Sequence, residues 1–131
     1  MKILLIRTSK NPVLRDVPHQ LSIFQHLIGG RIEVVEPFED NVILVCDESG
    51  RNNGKPINRV INDRMDVCGD FFLCGHDGEG LSDFPAELVP KYISLLSLPT
   101  GISKYTAKAV QKSSLNRDES TKIQSFAMPS V

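Results

Sequence analysis

The sequence contains no tryptophan and only two tyrosines among 131 residues. Proteins that bind single-stranded nucleic acid stack bases on aromatic side chains, so this shortage argues against that class of function. No apolar run approaches the roughly 20 residues that span a bilayer, and the apolar part of the N-terminal stretch is too short for a secretory signal peptide. We therefore expect a cytoplasmic protein with no membrane partner.

The charge is small overall and unevenly distributed along the chain. Residues 1–100 contain 10 Lys/Arg and 14 Asp/Glu, whereas residues 101–131 contain 5 and 2. Binding nucleic acid over a broad surface needs clustered cations, so the mildly acidic body argues against it. The length indicates one α+β domain over residues 1–100. The remaining tail, 101–131, is expected to be partly disordered or to form a short helix near Tyr105–Lys112.

Cysteine is scarce, and the three present are odd in number: Cys46, Cys68 and Cys74. Together with His76 they suggest a zinc site, but no Cys-x-x-Cys pair occurs and the spacing along an extended strand is too long for one ion. We expect free, buried thiols and no bound cofactor.

The hydrophobic pattern predicts an antiparallel sheet of four to five strands, with a sheet curled toward a small barrel as the alternative. The fully apolar segment Val42–Cys46 should lie centrally, covered on both faces. Gly69 suggests a bulge or a close backbone approach within its strand. The predicted strands are Lys2–Arg7, Val13–Val17, Arg31–Glu36, Val42–Cys46 and Val67–Cys74, with a short segment at Asn58–Asn62.

Two helices are predicted to pack on this sheet. The first covers 19–28, enters at Asp16 or Pro18, and ends at Gly29, which tolerates the left-handed conformation of a helix C-terminus. The second covers 83–96, and Pro90 should kink or divide it. Its N-terminal cap would be Ser82 or Asp83.

Three blocks of sequence resemble one family. They are Leu27-Ile-Gly-Gly-Arg-Ile-Glu-Val-Val35, the run from Cys46 through Asn53-Gly-Lys-Pro-Ile-Asn-Arg59, and Gly69-Asp-Phe-Phe-Leu-Cys-Gly75. Their order and spacing are similar to those of a small domain of unknown function found widely in bacteria, conjugative elements and phages, and the resemblance extends to about residue 97. It implies a setting and no assigned activity. The Gly78-Glu79-Gly80 turn and Pro90 depart from the family pattern.

The best candidate for a ligand site is the loop that contains Asn53, Lys55, Asn58 and Arg59. Amides and cations within seven residues can hold a phosphate or carboxylate, although the same groups can equally tie the loop to the sheet. Our leading hypothesis is a non-enzymatic binding module of a phage or mobile element. It would recognise a host protein or sequester a small polar or anionic ligand, and so counter host defence.

Two alternatives from other functional classes stay open. A small metal-dependent hydrolase or nuclease would use Asp66, Asp70, His76 and Asp77 with a divalent ion. A structural accessory protein would form a homo-oligomer through the tail. The sequence contains no Gly-x-Ser-x-Gly, His-Glu-x-x-His or P-loop motif.

Overall fold

A computed structural model describes residues 1–98 of the chain. It contains eight strands, two α-helices and one 3₁₀ turn, Ala86–Leu88. The strands are β1 (Lys2–Ile6), β2 (Val13–Asp16), β3 (Ile32–Val35), β4 (Ile43–Asp47), β5 (Ile57–Ile61), β6 (Met65–Cys68), β7 (Phe71–His76) and β8 (Leu81–Ser82). The helices are α1 (Leu21–Ile28) and α2 (Val89–Leu96).

The main sheet is antiparallel, and its strands lie in the order β2, β1, β7, β4, β3, with β8 paired to the end of β7. Within residues 1–98 it stays open and does not close into a barrel, and β5 and β6 form a separate hairpin. The predicted α+β class with an antiparallel sheet is confirmed. The predicted apolar segment Val42–Cys46 is buried, and the last residue of β4, the charged Asp47, is buried with it.

Both faces of the sheet are covered. On one face α1 contributes Phe24 and Ile28, which pack in a cluster with Phe72 and Cys74 of β7. On the other face the β5–β6 hairpin and α2 pack in a cluster with Phe71, its neighbour on β7. The alternation of side chains along β7 therefore supplies two separate apolar clusters.

The boundaries of α1 differ partly from the prediction. Its C-terminus is at Gly29, which has a φ of 73° as expected for this cap. Its N-terminal cap is Gln20 and not Asp16 or Pro18. Asp16 is unavailable because it belongs to β2, where its carboxylate accepts a hydrogen bond from Lys2 (2.8 Å).

The second helix starts later than predicted. Ser82 belongs to β8, and the Asp83 carboxylate accepts the backbone N–H of Lys2 (2.9 Å) instead of capping a helix. Pro90 lies in the first turn of α2, where a missing N–H costs nothing, so it begins the helix and does not kink it.

The predicted strand Val67–Cys74 is two strands in two sheets. Gly69 has a φ of 81° and separates β6, which pairs with β5, from β7, which lies at the centre of the main sheet. The predicted tail, residues 101–131 with its short helix, lies outside the described residues. No helix within residues 1–98 has the length and apolar character to cross a membrane.

Candidate functional site

The loop before β5 places Lys55 against the end of α1. Its ammonium Nζ donates to the carbonyl oxygens of Ile28 (2.9 Å) and Gly29 (3.1 Å) and forms an ion pair with Asp47 Oδ2 (2.6 Å). Three oxygens therefore surround the ammonium within 3.1 Å. Lys55 therefore caps the C-terminus of α1, where a positive charge is favoured by the helix dipole.

Asp47, the partner of Lys55, has a side chain only 1% exposed. Burial by itself would raise its pKa. The pKa is nevertheless lowered, because Lys55, the Ser49 N–H and the Asn53 side chain all hydrogen-bond the carboxylate. Asn53 thus belongs to the same cluster.

Arg59 and Asn58 hold the opposite side of the fold. Arg59 donates through Nε to the Leu96 carbonyl at the end of α2 (2.9 Å) and through a terminal nitrogen to the Lys10 carbonyl (2.6 Å). Its other terminal nitrogen donates to Asn58 Oδ1 (2.7 Å) and to the Asn58 carbonyl (3.0 Å). Asn58 Nδ2 donates to the carbonyls of Ile6 and Gly69, both at 2.9 Å. Burial lowers the pKa of Arg59 to about 10.

The fold thus divides the predicted recognition residues between two clusters, with Asn53 and Lys55 at the end of α1 and Asn58 and Arg59 near the end of α2. Both amide protons of Asn58 are donated within the domain, and Lys55 is held by two carbonyls and one carboxylate. Arg59 keeps little hydrogen-bonding capacity for a ligand. The ligand-binding role of Asn53, Lys55, Asn58 and Arg59 stays a prediction, and these contacts favour the structural reading of the loop.

Two glycines leave room for the Lys55–Asp47 pair. A Cβ atom on Gly30 would lie 2.6 Å from Asp47 Oδ1, and one on Gly69 would lie 2.7 Å from Lys55 Cδ. Both distances are shorter than any side chain tolerates. Gly30 and Gly69, one in each of two sequence blocks that carry the resemblance, therefore accommodate one buried ion pair.

The residues of the hydrolase alternative serve separate local structures. Asp70 accepts the Thr8 N–H (3.0 Å), and Asp77 accepts the N–H groups of Glu79 and Gly80 in its own turn. His76 Nδ1 accepts the Gly78 N–H (3.0 Å). Asp66 lies buried on β6, with Oδ2 4.0 Å from Arg51. Nowhere in the described part of the chain do three or more His, Cys, Asp or Glu form a group that could hold a metal ion.

All three cysteines are free and buried, as predicted. Burial raises the pKa of Cys46 and of Cys74 to about 12, so both thiols stay protonated and poorly nucleophilic near neutral pH.

A cleft of about 280 Å³ opens beside the sheet edge. We call it the β3–β6 cleft, because its walls come from β3, the end of β4 with the following loop, and β6. The side chains of Glu33 and Val35 line it from β3, and Asp66, Met65 and Cys68 line it from β6. The volume lies just below the usual range for small-molecule pockets and suits one long side chain or a compact ligand.

Glu33 gives the β3–β6 cleft its excess negative charge. The three other acidic residues of the lining each face a cation: Asp47 faces Lys55, Asp66 faces Arg51, and Glu48 faces Arg31 at 3.5 Å. Glu33 forms no ion pair with any residue in 1–98. Sequence reasoning missed this site because its walls are far apart along the chain. The only local signal was a charged residue alternating with apolar ones in β3.

A family model described as a domain of unknown function, DUF3846, matches residues 1–97. The chain belongs to the DUF3846 family. The match confirms the resemblance that the three sequence blocks suggested and its extent along the chain. No curated protein and no solved structure matches this DUF3846 domain.

Proposed function

We propose that this DUF3846 domain is a non-enzymatic binding module that recognises a host protein through the β3–β6 cleft and the edge of β3. The setting, a phage or mobile element acting against host defence, rests on the family resemblance. The supporting observation is the combination of an acidic cleft with an open strand edge. Protein-binding domains use such edges to hold an extended partner segment.

The organisation of the polar groups supports a protein partner over a small anion. Anion capture needs cations with free donors, whereas Lys55 already donates to the Ile28 and Gly29 carbonyls and pairs with Asp47. The exposed features at this edge are apolar and acidic: the Val34 side chain is 45% exposed, and Glu33 has no ion-pair partner in residues 1–98. Such a surface complements a partner with apolar and basic groups.

The test is site-specific photo-crosslinking in a bacterial host-cell lysate. A benzophenone amino acid replaces Val34 at the β3 edge, and a matched control replaces Leu95 on α2, which is also exposed and apolar. We expect the Val34 probe to form a defined adduct with one host protein and the Leu95 probe to form none. The added substitution Glu33→Lys should abolish that adduct.

Three outcomes would contradict the proposal. They are equal crosslinking from both positions, no adduct from either, or an adduct that survives Glu33→Lys. Native mass spectrometry of the same protein after lysate exposure provides a separate check. A bound small mass in place of a protein-sized adduct would support the small-ligand reading instead.

A further inference from the structure

We infer that the partner binds as an added β-strand on β3 and inserts a Lys or Arg side chain into the β3–β6 cleft. This inference rests on the proposed function and specifies its partner. It joins three observations at one edge of the sheet: backbone groups that pair with no other strand of residues 1–98, side chains that face a cleft, and an excess of carboxylates.

The backbone of β3 offers hydrogen bonds outward. In residues 1–98, β3 pairs with β4 on one side and with no strand on the other. The register places Arg31 directly opposite Glu48, and the Glu48 N–H donates to the Arg31 carbonyl (2.9 Å). In an antiparallel pair such hydrogen-bonded positions alternate, so Arg31 and every second residue after it bond to β4. Ile32 and Val34 lie between these positions, and their N–H and C=O groups therefore point away from the sheet, ready to pair with an incoming strand.

The side chains of β3 determine where those of an added strand would point. Ile32 packs on the α1 face, whereas Glu33 and Val35 line the cleft on the other face. Directly opposed residues of paired strands project to the same face. The partner residues opposite Glu33 and Val35 would therefore extend over the cleft, at alternate positions of the partner segment.

Charge selects the chemistry of that side chain. The cations Arg31, Arg51 and Lys55 each already face a carboxylate. Glu33 and Glu36 lack ion-pair partners within residues 1–98, so the edge of β3 carries an excess of negative charge. A basic side chain satisfies that charge, and an acidic one would be repelled.

The other edge of the sheet is less suited to a partner strand. β2 carries the charged pair Arg15 and Asp16, and Asp16 is engaged by Lys2 and the N-terminal ammonium. Charged side chains on an edge discourage pairing with another strand. Three of the four β3 residues are apolar and β-branched, which favours strand pairing.

The test is selection of random linear peptides by mRNA display against the full chain, followed by binding measurements on the selected peptides. We expect enriched peptides to carry Lys or Arg at alternate positions. Glu33→Lys should weaken their binding by about tenfold or more, the effect of losing one charge pair. Glu87→Lys makes the same charge change at an exposed site in the 3₁₀ turn and should leave binding unchanged.

NMR of the labelled protein tests the strand geometry. The amides of Ile32 and Val34 should exchange fast in the free protein and become protected when a selected peptide binds. N-methylation of the peptide residues whose N–H groups face β3 should abolish binding. Enriched peptides without basic residues, equal binding to the Glu33→Lys variant, or unprotected Ile32 and Val34 amides would each overturn the inference.

Slow exchange of these two amides in the free protein would also overturn it, because the edge would then already be covered. Protection that rises with protein concentration would identify a second copy as the occupant, and protection independent of concentration would identify the chain itself. If peptide binding fails while the Val34 probe still crosslinks a host protein, the inference is wrong and the proposed function stands. If both fail, the proposed function is wrong as well.

Discussion

The Lys55 ammonium donates to two carbonyl oxygens and forms an ion pair with a buried carboxylate, all within the domain. At the scale of single residues, this explains how a segment with the composition of a ligand site can be structural. Its cations lie at helix C-termini, where carbonyl oxygens otherwise lack partners. Arg59 likewise donates to the Leu96 carbonyl at the C-terminus of α2.

Replacement of Lys55 by methionine should destabilise the fold by about 3 kcal/mol, because it leaves the buried Asp47 carboxylate without its cation. The free energy of unfolding in urea measures the loss. Lys91→Met provides the control, since Lys91 pairs with Asp40 at the surface and its loss should matter far less. Equal losses for the two variants would show that the Lys55 pair is not special.

Arg59→Lys should also destabilise the fold, by about 2 kcal/mol, because one ammonium cannot reach the four acceptors that the guanidinium joins. Urea unfolding again provides the measurement. Arg64→Lys, at an exposed position in the β5–β6 turn, should be neutral. A stable Arg59→Lys variant with altered partner binding would instead favour the recognition role predicted from the sequence.

At the scale of elements, Gly69 determines where one apolar run becomes two strands. Apolar residues lie on both sides of Gly69 and Asp70 between Val67 and Cys74, so the sequence alone predicts one strand. The change of sheet depends on the positive φ at Gly69 and on the Lys55 stem packed against it, a contact between residues far apart along the chain. The glycine is visible in the sequence, but the sequence does not show that the Lys55 side chain packs against it.

Gly69→Ala should cost more than Gly54→Ala, although both glycines have φ near 80°. A Cβ at Gly69 meets Lys55 Cδ, whereas one at Gly54 meets nothing within 4 Å. The Gly54 change should cost about 1–2 kcal/mol of backbone strain alone. Urea unfolding should show that Lys55→Ala, which removes the clashing atoms, brings the cost of Gly69→Ala down to that of Gly54→Ala. If Lys55→Ala leaves the cost of Gly69→Ala unchanged, the contact between Gly69 and Lys55 is refuted.

Other elements were predictable because their signals are local. The periodicity of α1, the glycine at its end and the apolar run of β4 each follow from neighbouring residues. The N-terminal caps were not predictable, since Asp16 and Asp83 are taken by Lys2 on β1. The β3–β6 cleft could not be predicted for the same reason: three strands meet there only after the hairpin folds onto the sheet.

At the scale of the whole molecule, acid should weaken the fold. Hydrogen bonds from Lys2, from Lys91 and from the Glu79 N–H hold the pKa of Asp16, Asp40 and Asp77, respectively, below its ordinary value. The pKa of Asp47 is also lowered, despite its burial. A carboxyl with a lowered folded pKa contributes stability above its unfolded pKa, about 3.9, and this is lost as pH falls through the folded value.

Urea unfolding at neutral pH and near pH 3 should therefore show a lower free energy of unfolding in acid. Asp47→Asn should reduce the difference in the free energy of unfolding between the two pH values, because one of the contributing carboxyls no longer titrates. Asp63→Asn, an exposed change in the β5–β6 turn, should keep the difference of the original protein. A difference unchanged by Asp47→Asn would mean that its carboxyl has a similar pKa in the folded and unfolded chain.

The Lys55–Asp47 pair has a consequence for how DUF3846 relatives can diverge. Gly30, Asp47, Lys55 and Gly69 fit around one another, so a change at any of them disturbs the join between α1 and the sheet. Four residues of the sequence blocks that carry the family resemblance therefore have a structural role at this join. β3, the proposed partner edge, lies within the same block, Leu27–Val35, so relatives that keep this block would share both the join and the proposed contact.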